Sequence, residues 1–396
     1  MKESQKSLVL ATVPVLRESG VALTTYFYQR MLKHNPELKN VFNQSHQKTG
    51  NQPQALAMAV LAYAENIHDP SVLLSVVERI AHKHTSLGIR AEQYGIVGKH
   101  LLASIKEVLG DAASDELIDA WAAAYQQLAD LFIDVESKLY QESVEKAQGW
   151  TGWRPFHVRS KVAESEEITS FYLEPTDGGT LPVFKPGQYI SVRVFVKETG
   201  LYQPRQYSLS QAPNEETLRI SIKKESAAEH KPAGLVSNHM HGEIQQGDVI
   251  EVSAPYGEFV LNEQSERPIV LLSGGVGITP MMAMSSYLNK KDALGSVHFI
   301  HSARNPQVHA FKSVTDEFAE KGMKVNYFYD HGANQDNGVQ QAPVELAQVL
   351  PKDVTQADYY LCGPMAFMSH YMTQLRQLGV PETQIYAEAF GSGGVA

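Results

Sequence analysis

Apolar residues in the first 147 positions recur every three or four residues, the spacing that places side chains on one face of an α-helix. Three such stripes are Leu56, Val60, Tyr63 and Ile67; Val97, Leu101, Ile105 and Val108; and Trp121, Tyr125, Leu128 and Phe132. Pro70 and Gly110 stand between stripes, where helices are expected to break. The pattern predicts five or more helices with short connections, which form an all-α domain over residues 1–147.

The apolar period changes to two after a segment rich in glycine and tryptophan at residues 148–155. Alternate positions are aliphatic in residues 190–196 and again in 218–222, as in strands with one buried face. Turn signals at residues 177–179, 185–187 and 246–248 separate the strands. These features predict an antiparallel β-barrel domain over residues 148–262.

Beyond residue 262, continuous apolar runs alternate with segments that can form helices. The runs begin at Pro268, Val297, Val325 and Tyr359. Such a run is typical of a strand in a parallel sheet that is covered on both faces. The alternation predicts an α/β domain with a doubly wound parallel sheet over residues 263–396.

The composition narrows the class of protein. The 396 residues carry a net charge of -10 with no Lys/Arg-rich run, so we expect no nucleic-acid partner. The N-terminal region has no apolar run long enough for a signal peptide or an integral membrane segment. The single cysteine, Cys362, excludes an internal disulfide and any cluster held by several thiolates. We therefore expect a soluble, cytoplasmic and monomeric protein.

The segment Arg205-Gln206-Tyr207-Ser208 has the side chains that a flavin nucleotide needs. An arginine offers paired donors to a phosphate, a tyrosine offers a ring for stacking, and a serine hydroxyl can hydrogen-bond a ring nitrogen. An ordinary edge strand could carry the same residues, so the interpretation depends on the surroundings.

A glycine-rich turn, Gly274-Gly275-Val276-Gly277-Ile278-Thr279-Pro280, follows the first apolar run of the third region. Glycines let the backbone approach a pyrophosphate, and the helix that begins near Pro280 directs free N–H groups at the anion. The turn departs from G-x-G-x-x-G, and no acidic ribose ligand stands at the expected distance, so a tight turn without a ligand remains the alternative. Cys362 could simply fill space in the core, and residues 386–392 could simply be an edge strand.

Six segments in order resemble the ferredoxin-NADP reductase family over residues 153–396. They are 186–189 (PGQY), 205–208 (RQYS), 234–238 (GLVSN), 274–280 (GGVGITP), 362–364 (CGP) and 388–391 (EAFG). The resemblance implies FAD and NAD(P)H as cofactors, bound by Tyr189, Arg205, Gln206, Tyr207, Ser208, Gly234, Val236, Ser237, Gly274, Gly275, Val276, Gly277, Ile278, Thr279, Pro280, Cys362 and Phe390. Because a nicotinamide gives two electrons as hydride and a flavin can pass them on singly, we expect a one-electron acceptor elsewhere in the chain.

Three histidines of the helical region, His82, His84 and His100, compete for the role of a buried ligand. The apolar stripe of residues 72, 76 and 80 continues four residues on to His84, whereas His82 and Lys83 face away from it. A histidine that is merely hydrogen-bonded in the core remains the alternative.

Other polar residues could support such a ligand. Tyr28, Gln52 and Leu56 could line one pocket, while Tyr94 and Glu136 could orient the second ring nitrogen of the histidine. Each also has a plainer interpretation. The tyrosines could be partly buried core residues, Gln52 a helix cap, and Glu136 a solvated position on the last helix.

The first 140 or so residues resemble a bacterial globin in the segments 26–28 (YFY), 34–38 (HNPEL), 42–43 (FN), 81–86 (AHKHTS) and 94–98 (YGIVG) and in Trp121. A globin joined to an FAD- and nicotinamide-binding reductase is the layout of the flavohaemoglobin family, which the whole chain resembles. By position, the resemblance implies His84 as the proximal haem ligand and Phe42 as the aromatic packed on the haem face. The remaining implied positions are Tyr28, Gln52 and Leu56 in the distal pocket, Tyr94 and Glu136 behind the ligand, and Lys83 and Glu388 near the junction of haem and flavin.

The flavohaemoglobin resemblance implies a nitric oxide dioxygenase with haem b, FAD and NAD(P)H as cofactors. NAD(P)H would reduce FAD, FAD would reduce the haem, and the substrates NO and O2 would become nitrate. Three alternatives stay open from the sequence. They are an NAD(P)H-dependent reductase of hydroperoxides, quinones or ferric complexes, a gas-sensing globin, and a helical docking module that binds no haem.

The sequence leaves the choice between NADH and NADPH open. Arg304 follows the second strand of the last region, where an arginine could meet the 2′-phosphate of NADPH. The same residue could equally belong to a plain polar turn.

Overall fold

The structure, a computed structural model, describes residues 1–42, 50–228, 232–332 and 339–390. Its backbone contacts divide the chain into two compact units. The first comprises Met1–Trp153, Ser191–Arg205 and Val252–Tyr256, and the second comprises Arg154–Ile190, Gln206–Glu251 and Gly257–Ala396.

The first unit is built mainly from helices, as the three-to-four spacing predicts. They are α1 (Glu3–Ala11), α2 (Val13–His34), α3 (Asn51–Glu65), α4 (Leu74–Ser86), α5 (Ala91–Leu109) and α6 (Asp115–Glu145). Pro53 lies in the first turn of α3, where its missing N–H removes no helical hydrogen bond. The all-α globin fold class expected from the sequence is confirmed.

The longest helix, α6, begins with a favourable cap and passes very close to α5. The Ser114 hydroxyl accepts a hydrogen bond from the Leu117 N–H at 3.2 Å, and two acidic residues follow in the first turn. A Cβ at Gly98 would lie 2.4 Å from the Tyr125 ring, so only glycine allows this approach. Beyond the contact, Phe132 of α6 packs in an apolar cluster with Val77 of α4. This packing places both α4 and α5 against α6.

The β-region is a six-stranded sheet that closes on itself. Its strands are β1 (Arg154–Ala163), β2 (Ile168–Pro175), β3 (Tyr189–Val196), β4 (Leu201–Ser208), β5 (Leu218–Lys223) and β6 (Val249–Val252), in the order β4-β3-β6-β1-β2-β5. The strand pairs β1/β2 and β2/β5 are antiparallel. An isolated bridge between Leu209, just after β4, and Ile220 in β5 joins the two ends of this order. The antiparallel barrel is confirmed, and a short helix α7 (Leu235–Gly242) precedes β6.

The last region contains a parallel sheet with helices between its strands. The strands are β7 (Ile269–Gly274), β8 (Val297–Ala303), β9 (Lys324–Tyr329), β10 (Val339–Gln341), β11 (Asp358–Gly363) and β12 (Ile385–Ala389). The helices are α8 (Ile278–Lys290), α9 (Lys312–Glu320), α10 (Leu346–Val349) and α11 (Met365–Gln377). The strand order is β10-β9-β8-β7-β11-β12. Successive strands are added on one side of β7 up to β10 and then on its other side from β11, so the winding of the chain reverses between β7 and β11. The predicted doubly wound domain is confirmed, and such a reversal marks the edge where these sheets bind ligands.

Among the described residues, no single helix is both long and apolar enough to cross a membrane. Only α1 and α2 taken together meet both conditions, across a bend of 64°.

Candidate functional site

Within the first unit, three polar side chains from α4, α5 and α6 converge on one another. The Nδ1 atom of His84 lies 2.8 Å from Oε1 of Glu136 and 3.0 Å from the Tyr94 hydroxyl oxygen. The same hydroxyl donates a hydrogen bond to Glu136 Oε1 at 2.5 Å. Glu136 is only 3% exposed, so its interpretation as a solvated position is wrong.

These hydrogen bonds fix the orientation of the imidazole. A carboxylate can only accept, so Nδ1 of His84 is the nitrogen that donates to Glu136. Among the described residues, none makes a hydrogen bond to Nε2, and the side chain is 32% exposed. An imidazole with Nδ1 oriented by a carboxylate and with Nε2 not hydrogen-bonded by the described residues has the arrangement of a metal ligand.

Aromatic rings hold this arrangement from the side. The Phe132 ring lies 5.6 Å from the His84 ring and is stacked near Tyr94. The Tyr125 hydroxyl donates to the Tyr94 carbonyl at 2.6 Å, which holds the start of α5 against α6. Burial, and then the Glu136 charge, raises the pKa of Tyr94, so its hydroxyl remains a donor. Phe132 and Tyr125 belong to a predicted apolar stripe and were not among the expected site residues, although Phe132 lies one helical turn before Glu136.

The two competing histidines have different surroundings. Both ring nitrogens of His100 are engaged, Nδ1 as acceptor from Arg30 at 2.5 Å and Nε2 as donor to the Asn35 side chain at 2.9 Å. His82 lies half-buried with its ring 6.4 Å from the Tyr256 ring, and burial lowers its pKa to about 4. His100 is therefore a core histidine whose two ring nitrogens are both hydrogen-bonded, which leaves neither nitrogen for a ligand.

A second cluster of the first unit surrounds Tyr28 on α2. Its side chain is buried and hydrogen-bonds Gln52, and burial raises the pKa of Tyr28. The Phe42 ring meets the Tyr28 ring edge-on at 5.6 Å, and Leu56 packs against the same apolar core. Because α3 begins at Asn51, Gln52 lies inside the helix and is not its cap. The cluster presents one hydroxyl in largely apolar surroundings.

Lys83 and Arg205 are two cations of the first unit whose positive charges repel each other. Lys83 is half-buried, and its pKa is lowered by burial and then by the positive charge of Arg205. Arg205 lies in β4, where Nη1 donates to the Pro204 carbonyl at 2.6 Å. An anion near the pair would relieve their repulsion.

In the second unit, the end of β4 lies beside the turn that leads into β3. The Leu209 N–H donates to the Gln188 carbonyl at 2.9 Å, and Ser208 is buried. A Cβ at Gly257 would lie 2.9 Å from the Tyr189 ring, so that ring rests directly on the glycine backbone. Gln206 and Tyr207 precede Ser208 on the same strand. Tyr189 on β3 and Gln206, Tyr207 and Ser208 on β4 are thus predicted flavin residues on neighbouring strands.

The N-terminus of α7 is shaped by Gly234 and Ser237. A Cβ at Gly234 would lie 2.5 Å from the Ser237 hydroxyl, which accepts from the Glu225 N–H and donates to the Gly234 carbonyl, both at 3.2 Å. The Val236 side chain is buried in the core. The side chains of Val236 and Ser237 are therefore occupied, and a ligand would meet their backbone N–H groups.

The glycine-rich turn after β7 combines tight packing with one open position. A Cβ at Gly277 would lie 2.1 Å from the Cys362 carbonyl oxygen, and one at Gly274 would lie 3.0 Å from Phe367. Gly275 has a φ of +54°, and a Cβ there would meet nothing within 4 Å. The backbone at Gly275 is therefore open to an approaching group, as a pyrophosphate cradle requires.

The remaining residues of this turn point inward. Ile278, Thr279 and Pro280 are buried in the first turn of α8, and the Thr279 hydroxyl donates to the Val276 carbonyl at 3.0 Å. Their contribution to a bound dinucleotide would come from backbone N–H groups and the helix dipole rather than from side chains. Pro280, which has no N–H, would contribute only through packing.

Cys362 and Glu388 are neighbours in the paired strands β11 and β12. Burial raises the pKa of Glu388 to about 8, and its Oε2 has no hydrogen-bond partner among the described residues. Cys362 is fully buried, and burial together with Glu388 raises the pKa of its thiol, so it is not a thiolate at neutral pH. Phe390 is 44% exposed at the end of β12, and residues 391–396 lie outside the described part of the chain.

Three family models match successive parts of the chain. They are "Globin" over residues 25–132, "Oxidoreductase FAD-binding domain" over 155–261, and "Oxidoreductase NAD-binding domain" over 271–373. The chain is therefore an oxidoreductase with FAD-binding and NAD-binding domains joined to a globin.

Proteins of known name match the chain over its whole length. A flavohemoprotein of Chromobacterium violaceum is 56% identical, and the alignment covers 99% of this chain and 98% of that relative. A flavohemoprotein of Bordetella pertussis has the same identity and coverage. Among solved structures, a flavohemoglobin from Malassezia yamatoensis with bound FAD and heme superposes with a TM-score of 0.86 at 28% identity, covering 98% of this chain and 99% of that chain.

A further structure matches the reductase part alone. The FAD/NAD-binding domain of a nitric oxide dioxygenase from Vibrio cholerae is 38% identical, with a TM-score of 0.57, and the match covers 60% of this chain and 98% of that one.

Proposed function

The chain belongs to the flavohemoprotein (flavohaemoglobin) family, and from that premise we propose that it is a nitric oxide dioxygenase. It would take electrons from NAD(P)H through FAD to haem b and convert NO and O2 into nitrate. The observation that carries the proposal is the His84–Tyr94–Glu136 arrangement in the same helical unit as the buried Tyr28–Gln52 pair. A reductase without a haem would need neither the His84 arrangement nor the Tyr28–Gln52 pair.

The residues of the helical unit fit a haem. His84 would hold the iron through Nε2, the nitrogen that the hydrogen bonds leave available. When bound, the haem supplies a site for O2 and accepts electrons one at a time. Phe42 and Leu56, which pack on the apolar core beside Tyr28, would keep water from the distal side.

Glu136 and Tyr94 would act on a bound haem through His84. The buried Glu136 carboxylate accepts a hydrogen bond from Nδ1–H, which orients the ring and would raise the basicity of Nε2. Tyr94 donates to the same carboxylate and so keeps it in place. A strongly donating ligand favours oxygen chemistry over simple storage of the gas.

Tyr28 would supply the polar group of the distal pocket. Its raised pKa keeps the hydroxyl protonated, so it can donate a hydrogen bond to an oxygen atom that gains negative charge. Gln52, hydrogen-bonded to Tyr28, would hold the hydroxyl in position.

The reductase residues fit the two nucleotides. Arg205 would meet a flavin phosphate, with Tyr207, Ser208 and Tyr189 against the flavin ring and the N-terminus of α7 at the pyrophosphate. The open backbone at Gly275 would take the nicotinamide nucleotide. When bound, FAD would supply the conversion between two-electron and one-electron transfer.

The proposal can be tested against its nearest alternative on one preparation. We expect the haem- and FAD-loaded chain to consume NO, with NADH and O2 present, at least about tenfold faster per molecule than it turns over an alkyl hydroperoxide. Faster hydroperoxide turnover would favour the peroxide reductase instead. An absence of steady turnover with either substrate would favour a gas sensor.

A further inference from the structure

The turn after β8 lies at the carboxyl edge of the parallel sheet, the edge at which folds of this type bind a dinucleotide. In the register of β7 and β8, Ser302 lies opposite Gly274, so Arg304 stands two residues beyond the level of the first glycine of the phosphate turn. In folds of this type an acidic residue near this edge binds a free ribose 2′-hydroxyl, and an arginine accommodates a 2′-phosphate. Arg304 is therefore placed to distinguish the two nicotinamide nucleotides.

The backbone around Arg304 is held by hydrogen bonds. The Asn305 side-chain oxygen accepts from the N–H groups of Gln307 at 3.1 Å and Val308 at 3.3 Å, and the Arg304 carbonyl accepts from His331 at 2.9 Å. These bonds fix the direction in which the arginine leaves the turn. Whether Arg304 can bind a phosphate depends on the group that its guanidinium contacts.

That group is Glu167, which comes from the turn between β1 and β2 of the barrel. The Arg304 guanidinium donates to the Glu167 carboxylate in a close ion pair, in which Arg304 is 60% and Glu167 17% exposed. The Glu167 carbonyl accepts from Lys224 at 2.7 Å, and the Glu166 N–H donates to the Gln307 carbonyl at 3.1 Å. The two turns are thus joined by backbone as well as by charge, which holds the carboxylate against the arginine.

The ion pair changes what Arg304 can offer to a nucleotide. A 2′-phosphate would have to displace or share a guanidinium that the largely buried Glu167 already binds, and it would approach the negative charge of that carboxylate. A free 2′-hydroxyl carries no charge and can donate to a carboxylate. The local charges therefore oppose the phosphorylated ribose and tolerate the plain one.

We propose that Glu167 is a specificity-determining residue of the nicotinamide site. By holding Arg304 from the barrel side, it selects NADH, whose adenosine ribose has a free 2′-hydroxyl, over NADPH. The inference depends on the NAD-binding domain and not on the turnover of NO, so it can fail or succeed independently of the proposed activity.

The test compares two nucleotide fragments on the full chain loaded with haem and FAD. Binding of adenosine 5′-monophosphate and of its 2′-phosphorylated form is measured by calorimetry. In Glu167→Gln we expect affinity for the 2′-phosphorylated fragment to rise on the order of tenfold, because a guanidinium–phosphate hydrogen bond becomes available. Affinity for adenosine 5′-monophosphate should stay within about twofold. Glu166→Gln, an exposed neighbour in the same turn, is the matched control and should change neither.

A second variant keeps the test decisive if Glu167→Gln folds poorly. Arg304→Gln alone should leave the affinity for the 2′-phosphorylated fragment unchanged, because the arginine is already engaged, and it should remove the gain when combined with Glu167→Gln. The proposal is overturned if Arg304→Gln alone weakens that affinity. It is also overturned if Glu167→Gln raises the affinity for both fragments equally or for neither. An equal gain in affinity for the 2′-phosphorylated fragment in Glu166→Gln would overturn it as well.

Discussion

At the scale of single residues, the Tyr28 hydroxyl is the donor expected to hold bound O2. Tyr28→Phe removes a donor from an apolar pocket and leaves the ring in place. Loss of a hydrogen bond to a charged acceptor costs about 1.5–3 kcal/mol, so O2 should dissociate from the reduced holoprotein roughly ten- to a hundredfold faster, as measured by stopped-flow displacement. Tyr26→Phe on the same helix, whose hydroxyl bonds Glu107 at the surface, should have no effect. An unchanged dissociation rate in Tyr28→Phe would remove Tyr28 from this role.

Glu388 makes stability depend on pH. Its pKa is raised from an ordinary 4.5 to about 8 by burial, so the folded chain holds a proton that the unfolded chain has lost between these values. This contribution to stability is fully present below the lower pKa and is lost as the pH rises through the higher one. Thermal unfolding of the holoprotein should therefore show a smaller loss of Tm between about pH 5 and about pH 9 in Glu388→Gln than in the native chain.

The matched control for that measurement is Glu382→Gln. Glu382 is exposed on the approach to the same strand, and its hydrogen bond with Arg376 lowers its pKa, so its removal should leave the alkaline loss of Tm unchanged. An equal alkaline loss in the native chain and in Glu388→Gln would show that Glu388 is not a buried acid in solution.

Sequence reasoning could reach individual residues where helical spacing determined their direction. Four-residue spacing pointed His84 inward, and its Nδ1 does meet Tyr94 and Glu136. The stripe itself was one position off, because Val72 is 58% exposed and the buried residues of α4 include Val77, Ala81 and Thr85. Sequence reasoning failed where contact depends on distant segments. Arg304 and Glu167 are 137 positions apart, and no local pattern reports that the barrel turn reaches the end of β8.

At the scale of elements, the crossing of α5 and α6 supports the His84 arrangement. Gly98→Ala would put a Cβ 2.4 Å from the Tyr125 ring and should destabilise the helical unit by about 1–3 kcal/mol. Gly95→Ala on the same helix is exposed and meets nothing within 4 Å, so it should stabilise the helix by roughly 0.5–1 kcal/mol. Thermal loss of haem absorbance in the full chain measures both, and a tolerated Gly98→Ala would contradict the close crossing.

The elements themselves were largely accessible from apolar periodicity. Strands β7, β8, β9 and β11 coincide with the continuous apolar runs, and α2 to α6 follow the three-to-four spacing. The closure of the barrel was less accessible, because the Leu209–Ile220 bridge depends on a register that no alternation specifies. Helix starts also shifted, since Gln52 was expected ahead of α3 and lies within it.

At the scale of the whole molecule, one chain carries the folds for three cofactors with different electron chemistry. A hydride donor delivers two electrons at once, and the proposed haem chemistry consumes one electron for each NO. The FAD-binding domain, which lies between the other two along the chain, can accept two electrons and release them one at a time. It has this role only if electrons pass from the flavin to the helical unit.

The most direct test of this account is the yield of nitrate for each NADH consumed by the native chain under NO and O2. Because NO, O2 and one electron together balance to nitrate, we expect two nitrates for each NADH. In His84→Ala, flavin reduction by NADH should persist while nitrate formation is lost. NADH oxidation without nitrate in the native chain, or nitrate formation that survives His84→Ala, would contradict the proposed dioxygenase.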